Sequence, residues 1–216
     1  MGINIDYKKS FEYFDKAAAK GNISAMNYLG LHYRDGDGVT KNISSAVDYF
    51  TRAGERGEMY AMYNLGFMYL LNSYGIQDKY KGFQWMLKSA EKGHASAQNV
   101  VGECYQDGTG TVKDIYKAVI WFERASAKGD LWAKYHLGCC YLEGEGVQEN
   151  EYTAFRYFSD AAGEGHVRSM CLLGGCYENG WGTYKNIYKA VEWYKKAAAK
   201  GDEPAKKRLR ELGYSY

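Results

Sequence analysis

The sequence predicts an all-α fold: an α/α superhelical solenoid of six 36-residue helix pairs, running over residues 1–216 as a single array. Three observations carry the prediction. Gly21, Gly57, Gly93, Gly129, Gly165 and Gly201 stand 36 residues apart with no insertion between them, and a period of roughly 20 to 50 residues marks stacked-repeat architectures. Each period contains two stretches whose apolar residues recur at helical spacing. The chain holds one proline but 22 tyrosines, so little interrupts its helices and aromatic packing is plentiful.

Unit one (7–42) opens behind Asp6, a side chain suited to capping a helix, and its first helix stops at Lys20-Gly21. There a cation suits the negative end of the helix dipole and glycine suits the turn. The second helix sets Ala25, Leu29, Gly30 and Tyr33 on one face, the glycine allowing close approach of a neighbouring helix, and its loop closes on Asn42, the next cap. Unit two (43–78) starts with Ile43–Ala53, apolar at i, i+1, i+3, i+4 and i+7, which is one face of a helix. It stops at Arg56-Gly57, continues through Leu65-Gly66 and Tyr69, and ends on Asp78. Its turn departs from the others, with Asn72 and Tyr74 in place of a glycine pair, which predicts a longer second helix there. Unit three (79–114) carries Val101-Gly102 and Tyr105, unit four (115–150) Leu137-Gly138 and Tyr141, and unit five (151–186) Leu173-Gly174 and Tyr177. These units close on Asp114, Asn150 and Asn186. Unit six (187–216) ends in Ala205-Lys206-Lys207-Arg208-Leu209-Arg210, a polar last helix that reads as a solubilising cap.

The loop Arg34-Asp35-Gly36-Asp37-Gly38 invites a calcium or phosphate reading, which its own repeats weaken. An EF-hand register with Gly38 as the turn glycine puts Tyr33 and Ser44 where the first and last oxygen ligands belong. In the equivalent loops the glycine pair recurs while Asp37 becomes Thr109, Glu145 and Trp181. The shape is repeated and the charge is not, so the glycines are helix punctuation. Trp181, between two glycines, is expected to be exposed or to pack on Tyr184.

These slots carry a resemblance. The A-x-x-x-L-G-x-x-Y helix, the G-x-G-V turn and the run Ala190-Val191-Glu192-Trp193-Tyr194-Lys195-Lys196-Ala197-Ala198-Ala199-Lys200-Gly201 resemble the Sel-one-like repeat (SLR) family, relatives of the tetratricopeptide repeats, over essentially the whole chain. Members are mostly interaction scaffolds in signalling, protein quality control and bacterial contact with host cells. The resemblance therefore implies a noncatalytic scaffold or adaptor that binds a protein or peptide in its concave groove.

Catalytic and metal readings find little support. Ser89-Ala90-Glu91-Lys92 fits the S-x-x-K nucleophile motif, and a secreted branch of the family is linked to penicillin binding. Ser89, however, occupies the slot of Ala17, Ala53, Ala125, Ala161 and Ala197 inside a helix contact, and neither S-D-N nor K-T-G occurs. A penicillin-binding or -hydrolysing enzyme is therefore the alternative reading and no enzyme the first. Cys104, Cys140 and Cys176 share one slot; on stacked helices ~10 Å apart they cannot share a zinc ion with ~2.3 Å bonds, so they are core filler. Cys139 and Cys171 lie elsewhere on their helices and are the more open to oxidation. His94 and His166 follow stop glycines in the slot of Asn22 and Asp130 and read as caps. No metal ligand set and no cofactor follow from the sequence.

Bulk charge excludes other classes. A formal net charge of +2 gives no field for nucleic acid or anionic membrane. No run approaches the ~18 apolar residues of a membrane helix, and Met1–Asp6 is no secretory leader. Five cysteines, two of them adjacent, suit reduced thiols and the cytoplasm, with a secreted or host-delivered form left open.

By analogy with tetratricopeptide arrays, the L-G-x-x-Y helices line the groove. Side chains five and two before the leucine, and two, five and six after it, face the ligand. The set includes Asn27 and Arg34; Tyr60, Tyr63 and Phe67; Asn99, Glu103 and Gln106; Trp132 and Tyr135; and Arg168 and Glu178. Over the full set Asp35, Glu103, Asp107, Glu143 and Glu178 oppose Arg34 and Arg168, an acidic groove that favours a basic peptide over RNA, the third candidate ligand class. Aromatic grips in units two and four flank a polar unit three whose Asn99 and Gln106 would bond the ligand backbone. At ~10 Å per unit the grips are ~20 Å apart, so the ligand carries two apolar anchors about six residues apart.

Overall fold

In the computed structural model, which describes residues 6–215, the backbone forms twelve α-helices and no strand among the described residues. Residues 1–5, the stretch read above as no secretory leader, lie outside the described residues, as does residue 216. The helices are α1 (Tyr7–Ala19), α2 (Ile23–Asp35), α3 (Ile43–Glu55), α4 (Met59–Leu70), α5 (Lys79–Glu91), α6 (Ala95–Asp107), α7 (Ile115–Ser126), α8 (Leu131–Glu143), α9 (Glu151–Gly163), α10 (Val167–Asn179), α11 (Ile187–Ala199) and α12 (Glu203–Glu211). They fall into two compact units, Met1–Lys113 with α1 to α6 and Asp114–Tyr216 with α7 to α12. The architecture is the α/α solenoid that the period predicts.

Capping explains why the helices start where they do. Ahead of the odd-numbered helices, side chains of Asp6, Asn42, Asp78, Asp114, Asn150 and Asn186 each accept the backbone N–H three residues on, at 2.9–3.1 Å. Each bond satisfies a donor that the helix leaves orphaned, typically stabilising by ~1 kcal/mol. At the far end of α2, α6, α8 and α10 the chain turns through Gly36, Gly108, Gly144 and Gly180 in the left-handed region, as the punctuation reading requires.

The second glycine of each pair does something different. A Cβ on Gly38 would lie 2.4 Å from the carbonyl oxygen of Tyr7, and one on Gly110 or Gly182 would lie 2.1 Å from that of Lys79 or Glu151. This glycine therefore combines a left-handed φ with a backbone contact onto the start of the preceding odd-numbered helix.

The turn of unit two differs from expectation. In place of a longer helix, α4 stops at Leu70, Leu71 is extended, and Asn72–Tyr74 make a short 3-10 turn. Gly75, at φ +70°, supplies the left-handed residue that Asn72 and Tyr74 do not. The loop still closes as its equivalents do, the Asp78 amide donating to the Tyr69 carbonyl at 2.9 Å just as Asn42 donates to Tyr33 at 2.8 Å. Closure needs one left-handed residue near the turn, and its position in the loop is adjustable.

Within each unit packing follows the chain, sequence-neighbouring helices meeting one another, most extensively α2 on α3 and α4 on α5 in the first unit and α8 on α9 and α10 on α11 in the second. The L-G glycine creates these contacts. A Cβ on Gly30 would meet the Phe50 ring at 2.5 Å, one on Gly138 the Phe158 ring at 2.4 Å, and one on Gly174 the Tyr194 ring at 2.7 Å. Gly66 instead faces backbone, the Met86 nitrogen at 2.9 Å. Phe50, Phe122 and Phe158 are fully buried, and each such side chain contributes roughly 1.5–3 kcal/mol by leaving water.

Trp181 corrects another expectation. It packs against the core of the second unit, 3.5 Å from where a Cβ of Gly175 would stand, while Tyr184 projects into solvent. The glycines on either side let the loop fold the indole inward, where its area is worth more than it would be in water.

Candidate functional site

In the first unit, α2, α4 and the cap of α6 line a cleft of 480 Å³ that brings together Asn27, Arg34, Tyr60 and Tyr63 of the expected groove residues. Tyr60 is 51% exposed and stands edge-on to the His94 imidazole at 5.0 Å. Tyr63 stacks on the same imidazole at 4.6 Å, and Phe67 stacks on Tyr63 at 6.1 Å.

The slot two before the leucine opens onto a cleft at Tyr63 and Tyr135 but is buried at Asn27 and Asn99, which corrects part of the expected site. Asn27 is buried and its Oδ1 accepts from Asn64 Nδ2 at 3.0 Å. Asn99 is buried too, its Nδ2 donating to Glu103 at 3.0 Å. Asn27 is bonded to Asn64 and Asn99 is buried with its Nδ2 on Glu103 and its Oδ1 unpartnered, so neither projects outward toward a ligand backbone. At Asn27 the helices sit close enough for the slot to face a neighbour, which the analogy of side-chain direction did not register. Gln106 is half-buried and lies outside the cleft.

In the second unit the beginnings of α8, α10 and α12 line a cleft of 690 Å³ that holds Trp132, His166, Arg168 and Lys200. A smaller cleft of 250 Å³ shares Arg168 with it and adds Tyr135, Cys171 and Pro204. Trp132, 46% exposed, packs edge-on to His166 at 4.6 Å and to Tyr135 at 6.0 Å. Tyr135 lies 5.5 Å from His166, and the Arg168 guanidinium sits over the Trp132 ring at 5.7 Å. Tyr60, Tyr63 and His94 thus recur as Trp132, Tyr135 and His166, two repeats on. In the first unit both tyrosines meet the histidine ring, and in the second all three rings meet one another.

Glu178 does not belong to this surface. Tyr194 donates to its Oε2 at 2.8 Å, Arg208 Nε donates to the same oxygen at 3.0 Å, and Arg208 Nη2 pairs with Oε1. The Arg208 guanidinium, first, and the Tyr194 hydroxyl hold the carboxyl below its ordinary 4.5. Glu178 ties α12 to α10 and α11. Asp35 is likewise bound, by Arg34 at 2.7 Å. Of the acids that made the expected groove acidic, Glu178 is therefore neutralised by a cation outside the counted set, while Asp35 pairs with Arg34, already counted against it.

The two histidines are the part of the site that slot reasoning missed. It made them caps, which they are: His94 Nδ1 accepts from the Ala97 amide at 3.1 Å and His166 Nδ1 from the Ser169 amide at 3.3 Å. An accepting Nδ1 leaves the proton of the neutral ring on Nε2. Burial, first, and the neighbouring His136 and Arg168 hold the His166 pKa below 6.5. The signal available in the sequence was the recurrence of an aromatic pair with a histidine at the same offset in units two and four.

A scan against protein families matches the Sel1 repeat six times, over residues 1–22, 23–58, 60–94, 95–130, 133–166 and 167–202. The chain belongs to the Sel1 repeat family. A Sel1 repeat protein from Oxalobacter formigenes is similar at 30% identity and TM-score 0.86, over 93% of this chain and 83% of that one. The protective antigen of uropathogenic Escherichia coli strains, described as displaying an SLR fold, aligns at 27% identity and TM-score 0.88 over 97% of this chain. The chain spans about half of that antigen's length, 46%. A Sel1 repeat protein from Klebsiella pneumoniae shares the fold at 18% identity, with TM-score 0.57 over 94% of this chain and 99% of that one. A comparison with curated proteins finds no match.

The other reactive side chains of this Sel1 repeat chain are held in its packing. Ser89 is fully buried and its Oγ donates to the Met59 carbonyl at 2.7 Å, so the S-x-x-K match places no nucleophile at the surface. Burial pushes the thiols of Cys104, Cys140, Cys171 and Cys176 up to about 12 and that of Cys139 to about 11, which keeps them protonated and poorly nucleophilic. Cys139 and Cys171 are half-buried, the other three buried. Among the described residues no helix is long and apolar enough to cross a membrane.

Proposed function

We propose that this Sel1 repeat chain is a noncatalytic interaction scaffold that holds a peptide segment of a partner protein against its L-G helices. The observation that carries the reading is the recurring platform. Tyr60 and Trp132 are half-exposed aromatics, each packed edge-on against a capping histidine that also carries a tyrosine ring. A rigid, amphipathic ring already ordered by its neighbours loses little entropy on binding and offers large contact area, which is how binding hot spots are built. The partner carries two apolar anchors, one for each platform. The five free cysteines suit a reducing compartment, and we place the protein in the cytoplasm. The buried Ser89 supports a scaffold over a penicillin-type hydrolase.

The test compares capture from native lysate by the wild-type chain and by the Tyr60→Ala/Trp132→Ala double variant, with circular dichroism as the folding control. A partner retained by the first should be lost by the second. In binding assays with that partner, each single substitution should weaken affinity about tenfold or more, as truncation of aromatic anchors commonly does. Equal capture by both chains would place the interface elsewhere. Nitrocefin turnover that disappears in Ser89→Ala would overturn the noncatalytic reading.

A further inference from the structure

The two platforms share their three rings but differ in the side chain that follows. The residue two places after the capping histidine is Ser96 beside the first platform and Arg168 beside the second. Arg168 is exposed, lies over the Trp132 ring and makes no ion pair among the described residues. The acids around it already have partners. Asp130 accepts from the Ala133 amide at 3.0 Å, Asp202 accepts from the Ala205 amide at 2.8 Å, and Glu164 pairs with Lys134. Lys200 adds a second cation to the cleft. His166, 9% exposed, holds a buried Nε2 with no hydrogen-bond partner against the same indole.

Arg168 also donates toward the Tyr135 hydroxyl. A guanidinium resting on an aromatic face is desolvated on that face while its remaining in-plane N–H donors point outward, and their fork matches the two oxygens of a carboxylate. An ammonium or a phosphate would fit this setting less well, the first by charge and the second for want of a second arginine. We propose that the cleft of the second unit recognises an acidic side chain of the partner peptide, its carboxylate forked on Arg168 and the adjacent apolar residue seated on Trp132. The platform of the first unit, with Ser96 in the corresponding place, has no such preference. This rests on the peptide-binding reading above and adds the charge of one anchor. It also reverses the basic preference expected from counting groove acids in the sequence.

The experiment selects from a library of random heptapeptides displayed with chain on both sides, so that no peptide offers a free carboxy terminus, using the full-length protein and its Arg168→Ala and Arg168→Glu variants. Arg168 is exposed, so both variants should fold, and circular dichroism checks this. Wild-type selections should enrich aspartate or glutamate next to an aromatic or aliphatic residue. A selected peptide, labelled and measured by fluorescence polarisation, should bind Arg168→Ala about tenfold more weakly, the usual scale for a hydrogen bond to a charged group. Its Asp→Asn or Glu→Gln counterpart should bind wild type and Arg168→Ala alike. Arg168→Glu should enrich lysine and arginine instead. Apolar peptides without acidic enrichment, or acidic enrichment that survives in Arg168→Ala, would overturn the acidic site while leaving the scaffold reading intact. Recovery of no peptide above background would overturn both.

Discussion

A single methyl group separates the uses this chain makes of glycine. Gly201 has φ +92° and, like Gly21, Gly129 and Gly165, no atom within 4 Å of the place a methyl would take, whereas Gly182 has φ +64° and the Glu151 oxygen 2.1 Å from that place. Gly201→Ala should therefore cost only the left-handed strain, about 1–2 kcal/mol. Gly182→Ala should cost that plus the displacement of a helix start, and Gly138→Ala, which drives a methyl into the Phe158 ring, roughly 1–3 kcal/mol by overpacking. Urea denaturation of the three variants checks the order; a Gly201→Ala as damaging as Gly182→Ala would refute the backbone-contact explanation. All three glycines were legible in the sequence as repeated slots. Which neighbour each approaches was not, because spacing along the sequence does not name the residue across the contact.

At the scale of elements, caps and stops were readable because they act within four residues of themselves. The unit-two turn was not, because a left-handed residue can be moved three places along a loop without losing closure. Nor was the role of Glu178, whose partners Arg208 and Tyr194 sit 30 and 16 residues away. That carboxylate makes a testable clasp on α12. Its folded pKa is depressed below 4.5, so its contribution is present above the unfolded value and is lost as pH falls through the lower, folded one. Amide exchange across α12 should accelerate below about pH 4 once intrinsic rates are corrected. Arg208 is partly exposed, so screening limits the clasp to about 1 kcal/mol. Glu178→Gln should raise α12 exchange at neutral pH and abolish the extra acid sensitivity. If acid sensitivity persists unchanged in that variant, the clasp is not its origin.

For the molecule as a whole, the fold class was legible because the period is unbroken, and the aromatic half of the candidate site because Tyr60 and Trp132 replace serine in a repeated slot. The polar half was misjudged because Asn27 faces Asn64 of a neighbouring helix, whose distance no periodicity reports, and Asn99 is buried against its own helix's Glu103. The contact of Gly182 on Glu151 has a further consequence for how such a chain can change in length. It spans a fixed count of residues through two helices, so it acts as a ruler. One alanine inserted after Ser159 would turn everything beyond it by about 100° around the axis of α9 and carry Tyr177 and the loop away from their seats. Removing residues 151–186 shifts the frame by a whole unit instead, joining Asn150 to Ile187 and presenting Gly138 to Tyr194 as Gly174 is presented now. The shortened chain should still melt cooperatively at a lower temperature, while the insertion, though 36 times smaller, should broaden or abolish the transition. Length in this chain is quantised, and thermal melts of the two variants would show whether the step is one residue or one unit.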